Sequence, residues 1–183
     1  MNVFAFRMFA TTKETCLSLT LFTMFRQDLS SLGLFKGLNH QQIDLMNSVW
    51  GFCHFPENKV IFEQGQAADF LYVLTCGSVD VQFKPYDGPS MIVAHILPGG
   101  VFGWSAALGR DAYTSSAIAC EESQAYRTST TRIHKLCSNF PDTGVILLDR
   151  LAGAIAERLD STHAQIFAIL QQGIDNGKVH SHD

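Results

Sequence analysis

Hydrophobic and polar positions follow a helical period, then a strand period, then a helical period again. Asn39 with Gln42 three places later has the form of a capping box, and Ile43, Met46, Val49 and Trp50 recur at helical spacing. This predicts an amphipathic helix. After Pro56-Glu57-Asn58 the chain breaks into short apolar runs separated by turn residues: Lys59 to Phe62, Phe70 to Thr75, Ser78 to Phe83, Met91 to Leu97, Thr114 to Ala119 and Ser123 to Thr128. Val79, Val81 and Phe83 alternate with Ser78, Asp80 and Gln82, which assigns that run one buried and one wet face. Lys84 to Pro89 supplies turn chemistry for a hairpin. The spacing predicts a mainly β fold with flanking helices, a double-stranded β-helix jelly roll. Within it, Pro98-Gly99-Gly100-Val101-Phe102-Gly103-Trp104-Ser105-Ala106-Ala107-Leu108, followed by Tyr113 to Ala117, reads as a strand end, a glycine-rich turn, a short helix and a return strand.

The last third is helical, with Asp142 as its expected cap. Leu148, Ala152, Ile155, Leu159, Thr162, Ile166 and Ile169 follow at alternating steps of four and three, a coiled-coil seam. Asp149, Arg150, Glu157, Arg158 and Gln165 form the polar face. Such a stripe either packs on the chain's own barrel or joins two copies in parallel. Three heptads interrupted only by Thr162 favour a homodimer through this helix. At the other end, Phe4, Phe6, Phe9, Leu17, Leu19, Leu21 and Phe22 are interleaved with Thr and Ser without a steady period, and their longest apolar run falls far short of the about 20 residues of a membrane span. A helix-like pattern begins at Met24, a candidate start of translation. The expected division is an extension over 1–24, a domain with its dimerisation helix over 25–172, and a polar tail over 173–183.

Composition narrows the function. A hydrophobic content of 46% over 183 residues supplies one substantial core. The 17 acidic and 13 basic side chains leave a charge of −4, so no basic footprint for nucleic acid or an anionic membrane is present. Five scattered cysteines without CxxC spacing read as reduced thiols of a cytoplasmic protein. His54 and His95 stand alone, with no His-x-His pair in the core to suggest a jelly-roll metal enzyme. No nucleophile, base and acid fall in a known motif, so catalysis is not expected.

The ordered series Val60-Ile61-Phe62-Glu63-Gln64-Gly65, Leu71-Tyr72-Val73-Leu74, Gly77-Ser78-Val79, Pro98 to Gly103 and Arg158-Leu159 resembles the cyclic nucleotide-binding domain. It is most similar to the sensor half of bacterial catabolite-activator and fumarate-nitrate-type regulators, over roughly residues 30 to 170. The resemblance implies that Phe102, Gly103, Ser105, Ala106 and Ala107 keep the turn and short helix whose backbone N–H groups hold a cyclic phosphate. The family's glutamate for the ribose 2′-hydroxyl falls at Trp104, where an indole accepts no hydrogen bond. Its phosphate-pairing arginine falls at Tyr113, whose hydroxyl donates one hydrogen bond and brings no charge. At roughly 1.5 to 3 kcal/mol per lost contact, a cyclic nucleotide is weakened by about two to four decades. Tight binding of cyclic AMP is therefore not expected.

Arg110 and the hydroxyls of Thr114, Ser115 and Ser116 stand near the same pocket. A Gly-Trp-Ser turn with a later Tyr-Thr is similar to a recurring bacterial variant of the domain, in which Trp104 either walls the pocket for a flat or apolar ligand or plugs it. Thr162 aligns with a threonine that contacts the purine across the dimer, and otherwise tunes helix register. The expected ligand site is Phe102, Gly103, Trp104, Ser105, Ala106, Tyr113, Thr114, Ser115 and Thr162. Family regulators continue into a winged helix-turn-helix, for which little room remains before Asp183, so no direct nucleic-acid contact is expected. The resemblance implies a regulatory module sensing a small-molecule effector, without metal or fixed cofactor, with output to a partner protein. The alternatives are a ligand-free dimeric scaffold and a transcription regulator lacking its helix-turn-helix.

Overall fold

The computed structural model describes residues 28–157. The extension 1–24, the seam positions Leu159, Thr162, Ile166 and Ile169, and the tail 173–183 lie outside the described residues. Two 3₁₀ turns, Leu29–Ser31 and Gly33–Phe35, lead into helix α1, His40–Val49. Its start is the capping box that the sequence predicts. Asn39 Oδ1 accepts from the Gln42 N–H at 2.9 Å, and Gln42 Oε1 accepts from the Asn39 N–H at 3.0 Å, which satisfies two otherwise orphaned donors. Trp50 falls one residue past the helix and is buried.

Eight strands follow: β1 Gly51–Phe55, β2 Val60–Phe62, β3 Phe70–Cys76, β4 Val79–Phe83, β5 Met91–Ile96, β6 Val101–Phe102, β7 Ser116–Ala119 and β8 Ser123–Ser129. Helix α2, Trp104–Ala107, interrupts them after β6. They pair antiparallel into two four-stranded sheets, β1-β8-β3-β6 and β2-β7-β4-β5, the two layers of a jelly roll. Gly77 lets β3 turn into β4. It has φ of +84°, and a Cβ there would stand 2.7 Å from the Glu122 carbonyl oxygen.

Three features depart from the sequence reading. Strand β1 was unpredicted because all five of its residues are half-buried, so it carries no alternation to read. Strand β6 is too short, at two residues, to show a period. The run expected from Thr114 begins only at Ser116, because the Thr114 N–H donates to Ser105 Oγ (3.3 Å) rather than to a strand neighbour.

Strand β8 runs directly into α3, Thr130–Asn139, and a single non-helical residue, Phe140, separates α3 from α4, which is helical from 141 to 157. Asp142 is not the cap of α4. Pro141 takes the first helical position, where its missing N–H costs nothing, and Asp142 sits in the first turn near the positive end of the helix. The inner face of α4 is Thr143, Leu147 and Leu151, all buried. Arg150, expected on the wet face, is half-buried, and its Nη1 donates to the Leu34 carbonyl at 3.1 Å, tying α4 to the second 3₁₀ turn. The predicted seam lies one residue over. Leu148 is 47% exposed and Val145 66% exposed, and Ala152 is also open to solvent. Leu148 and Ala152 therefore do not pack on the barrel, whereas Ile155 of the same predicted seam is half-buried and lines a cavity with barrel residues.

Two cores result. One joins Leu29, Phe35, Met46 and Trp50 to Ile133, Leu136, Leu147 and Leu151 where the helices meet the sheet. The other lies between the sheets and is aromatic, with Phe62, Tyr72, Phe102 and Tyr113 at its centre.

Candidate functional site

The site begins where β6 ends. Gly103 has φ of +77°, and a Cβ on it would meet the Phe70 carbonyl oxygen at 2.8 Å and the Tyr72 ring at 3.0 Å. Glycine is needed there for conformation and for space together. The turn at Gly103 launches α2, which projects Trp104 and Ser105 toward a cavity of about 440 Å³. That volume suits a small-molecule ligand.

Of the residues expected at the site, Phe102, Gly103, Trp104, Ser105, Tyr113, Thr114 and Ser115 line this one cavity. Ala106 does not. It is buried against the aromatic core, its N–H donates to the Gly103 carbonyl at 3.2 Å, and its own carbonyl accepts from Thr130 Oγ1 at 3.1 Å. The amide expected to hold an anion is thus used inside the turn. Thr162 lies outside the described residues.

Trp104 forms a fixed wall. Its Nε1 donates to the Val101 carbonyl at 2.8 Å, which leaves the ring beside the cavity. Tyr113 contributes its ring but not its hydroxyl. The ring stacks on Phe62 with centroids 3.8 Å apart, and the hydroxyl donates to the Phe70 carbonyl at 2.7 Å while accepting from the Phe70 N–H at 3.0 Å. Both of its hydrogen-bonding directions point into the protein, contrary to the expected donation to a ligand. Burial raises the Tyr113 phenol above its ordinary value, although the bond to Phe70 opposes this. Phe102, fully buried, stacks on Tyr72 at 4.9 Å and completes the floor.

Sequence reasoning missed much of the apolar lining: Phe62, Val81, Val93, Leu108 and Ile155. Only Val81 carried a signal. It belongs to the buried face of β4, along which burial falls from Val79 through Val81 to Phe83 as the strand runs out over the cavity. Arg110 is the only charged residue in the lining, and no carboxylate lines it among the described residues. Nor does any group of His, Cys, Asp and Glu suited to a metal ion occur among them.

A family model, the cyclic nucleotide-binding domain, matches residues 52–140. The chain is also 28% identical over 126 residues to the cyclic AMP receptor protein of Thermus thermophilus, covering 69% of this chain and 56% of that protein. The chain is thus similar to cyclic nucleotide-binding domain proteins of Crp/Fnr type, with the domain match on residues 52–140. The Crp/Fnr-type fold is matched by the solved catabolite activator protein of Thermus thermophilus, at a TM-score of 0.62 and 26% identity over 74% of this chain and 62% of that one. A cyclic nucleotide-binding domain from Methylobacillus flagellatus superposes with a TM-score of 0.70 over 81% of this chain and 84% of that chain, at 17% identity, a likeness of fold. The chain spans about half the length of the curated relatives it matches. No helix among the described residues is long and apolar enough to cross a membrane.

Proposed function

We propose that this Crp/Fnr-type domain is a non-catalytic ligand sensor with weak affinity for cyclic AMP, and that residues 25–172 act as one module that dimerises through α4. One observation carries the reading: a single cavity is lined both by the turn at α2, through Trp104 and Leu108, and by α4, through Ile155. A ligand that touches both favours one placement of the helix over another. The response is a population shift whose size is set by the difference in contact between the two placements. The exposed seam residues Leu148 and Ala152, with exposed Val145 just before them, support a second copy as the receiver of that shift. A cytoplasmic partner protein takes the output.

The weak cyclic AMP affinity rests on chemistry. A ribose 2′-hydroxyl requires an acceptor where Trp104 stands, and its Nε1 is a donor already bonded to Val101. Titration calorimetry with cyclic AMP, cyclic GMP and a metabolite panel tests the sensor. Binding of a panel member with a raised melting temperature is expected, and tight cyclic AMP binding overturns the reading of Trp104 and Tyr113. A scaffold that works without ligand is the second reading. It is favoured by the internal bonding of the Trp104 Nε1 and the Tyr113 hydroxyl, which leaves the site complete when empty. Silence across the whole panel selects it.

A further inference from the structure

We infer that the cavity takes a small organic monocarboxylate with a flat, apolar body, an assignment that rests on the proposal that this cavity is a ligand site. The lining is chemically divided. One part is made of residues that carry donors: Arg110 with its guanidinium, and the hydroxyl-bearing Ser105, Thr114 and Ser115. Ser105 Oγ already accepts from the Thr114 N–H at 3.3 Å, so its own O–H is the group it has left to offer. A guanidinium only donates. The lining thus holds a cation and hydroxyl donors with no opposing carboxylate, and among the described residues the Arg110 side chain makes no ion pair. A charge of this kind gains most from an anion that binds it in bidentate fashion.

The rest of the lining sets what the anion is attached to. Val81 and Val93 come from adjacent strands, Leu108 from the end of α2 and Ile155 from α4, and none offers a polar side-chain atom. The Trp104 ring, fixed by its bond to Val101, supplies a flat wall. Flat apolar groups pack on such a face. The same walls argue against the polar edge of a purine and the free hydroxyl of a ribose, which lose their water there without gaining partners. A phosphate monoester carries more charge than one guanidinium offsets, and the excess is left against apolar side chains. One carboxylate on an apolar body matches both parts of the cavity.

Titration calorimetry of the full chain with 3-phenylpropionate, with its neutral amide 3-phenylpropionamide and with cyclic AMP tests this. The acid is expected to bind, with the amide weaker by roughly ten- to a hundredfold. Arg110→Ala is expected to bring the acid down to the level of the amide, and Trp104→Phe to abolish the change in indole fluorescence that accompanies binding. Because Arg110 is an exposed loop residue, its variant is expected to keep the wild-type circular dichroism and melting temperature. Equal affinity of acid and amide, an acid affinity unchanged in Arg110→Ala, or no acid binding overturns the assignment. If the acid fails while a cyclic nucleotide or another panel compound binds, the ligand class falls and the sensor stands. If nothing binds, both fall.

Discussion

The chain has two tryptophans, and they sit in cores built on different terms. Trp50 is buried edge-on to Phe35, with centroids 5.3 Å apart, and its Nε1 has no hydrogen-bond partner among the described residues. Trp104 borders the cavity, and its Nε1 is bonded to a carbonyl. Near the helices, apolar packing is dense enough to carry an orphaned donor, at a cost of about 1–3 kcal/mol. Near the cavity the rings of Tyr113 and Phe102 are stacked, and hydrogen bonds from Trp104 and Tyr113 to backbone carbonyls fix these two side chains as well. The helical core supplies stability, whereas the aromatic core supplies shape.

That contrast is open to direct tests. Phe35→Ala removes a fully buried ring from the helical core and is expected to lower stability by about 3–5 kcal/mol in urea denaturation. The aromatic core should respond to a much smaller change. Tyr113→Phe deletes one oxygen, yet it strands the N–H and carbonyl of Phe70 together, so a loss of about 1–3 kcal/mol is expected in the same assay. A neutral result would show that packing, not hydrogen bonding, holds that ring.

Helix α4 carries the contrast to the surface. Leu147 is 2% exposed and Leu148 47% exposed, although they are adjacent in sequence. Leu148→Glu is expected to change protomer stability by no more than about 0.5 kcal/mol, while sedimentation is expected to show the proposed dimer lost. Retention of the dimer would remove the seam from the interface.

A further effect is confined to alkaline pH. Burial pushes the Cys53 thiol, which packs against the aromatic core, up from 9.0 to about 11, with Arg127 pulling weakly the other way. A raised value means that the unfolded thiol ionises first. Its contribution is therefore intact below pH 9.0 and is lost as pH rises through about 11. Melting temperatures across that window should fall more steeply in the wild type than in Cys53→Ala.

What the sequence disclosed followed the range of each interaction. The capping box at Asn39 and Gln42 was legible because both partners lie within one turn. Strands β3 and β4 were legible because their apolar runs are continuous or alternate. In α4, Leu147 with Leu151 and Leu148 with Ala152 have the same spacing of four, and only the packed barrel decides which pair faces in. The turn at Gly103 was found from its glycine, but the fate of the Tyr113 hydroxyl depended on Phe70, 43 residues away in sequence. Val93, Leu108 and Ile155 belong to three distant segments, and no local pattern announces that they share a wall.

One residue, Phe140, is all that separates α3 from α4, and the first side chain of α3, Thr130, grips the Ala106 carbonyl at 3.1 Å. So short a joint has no slack in which to absorb a displacement. A shift of α2 would be handed along α3 as a lever and delivered to the root of α4, even from a ligand too small to reach Ile155.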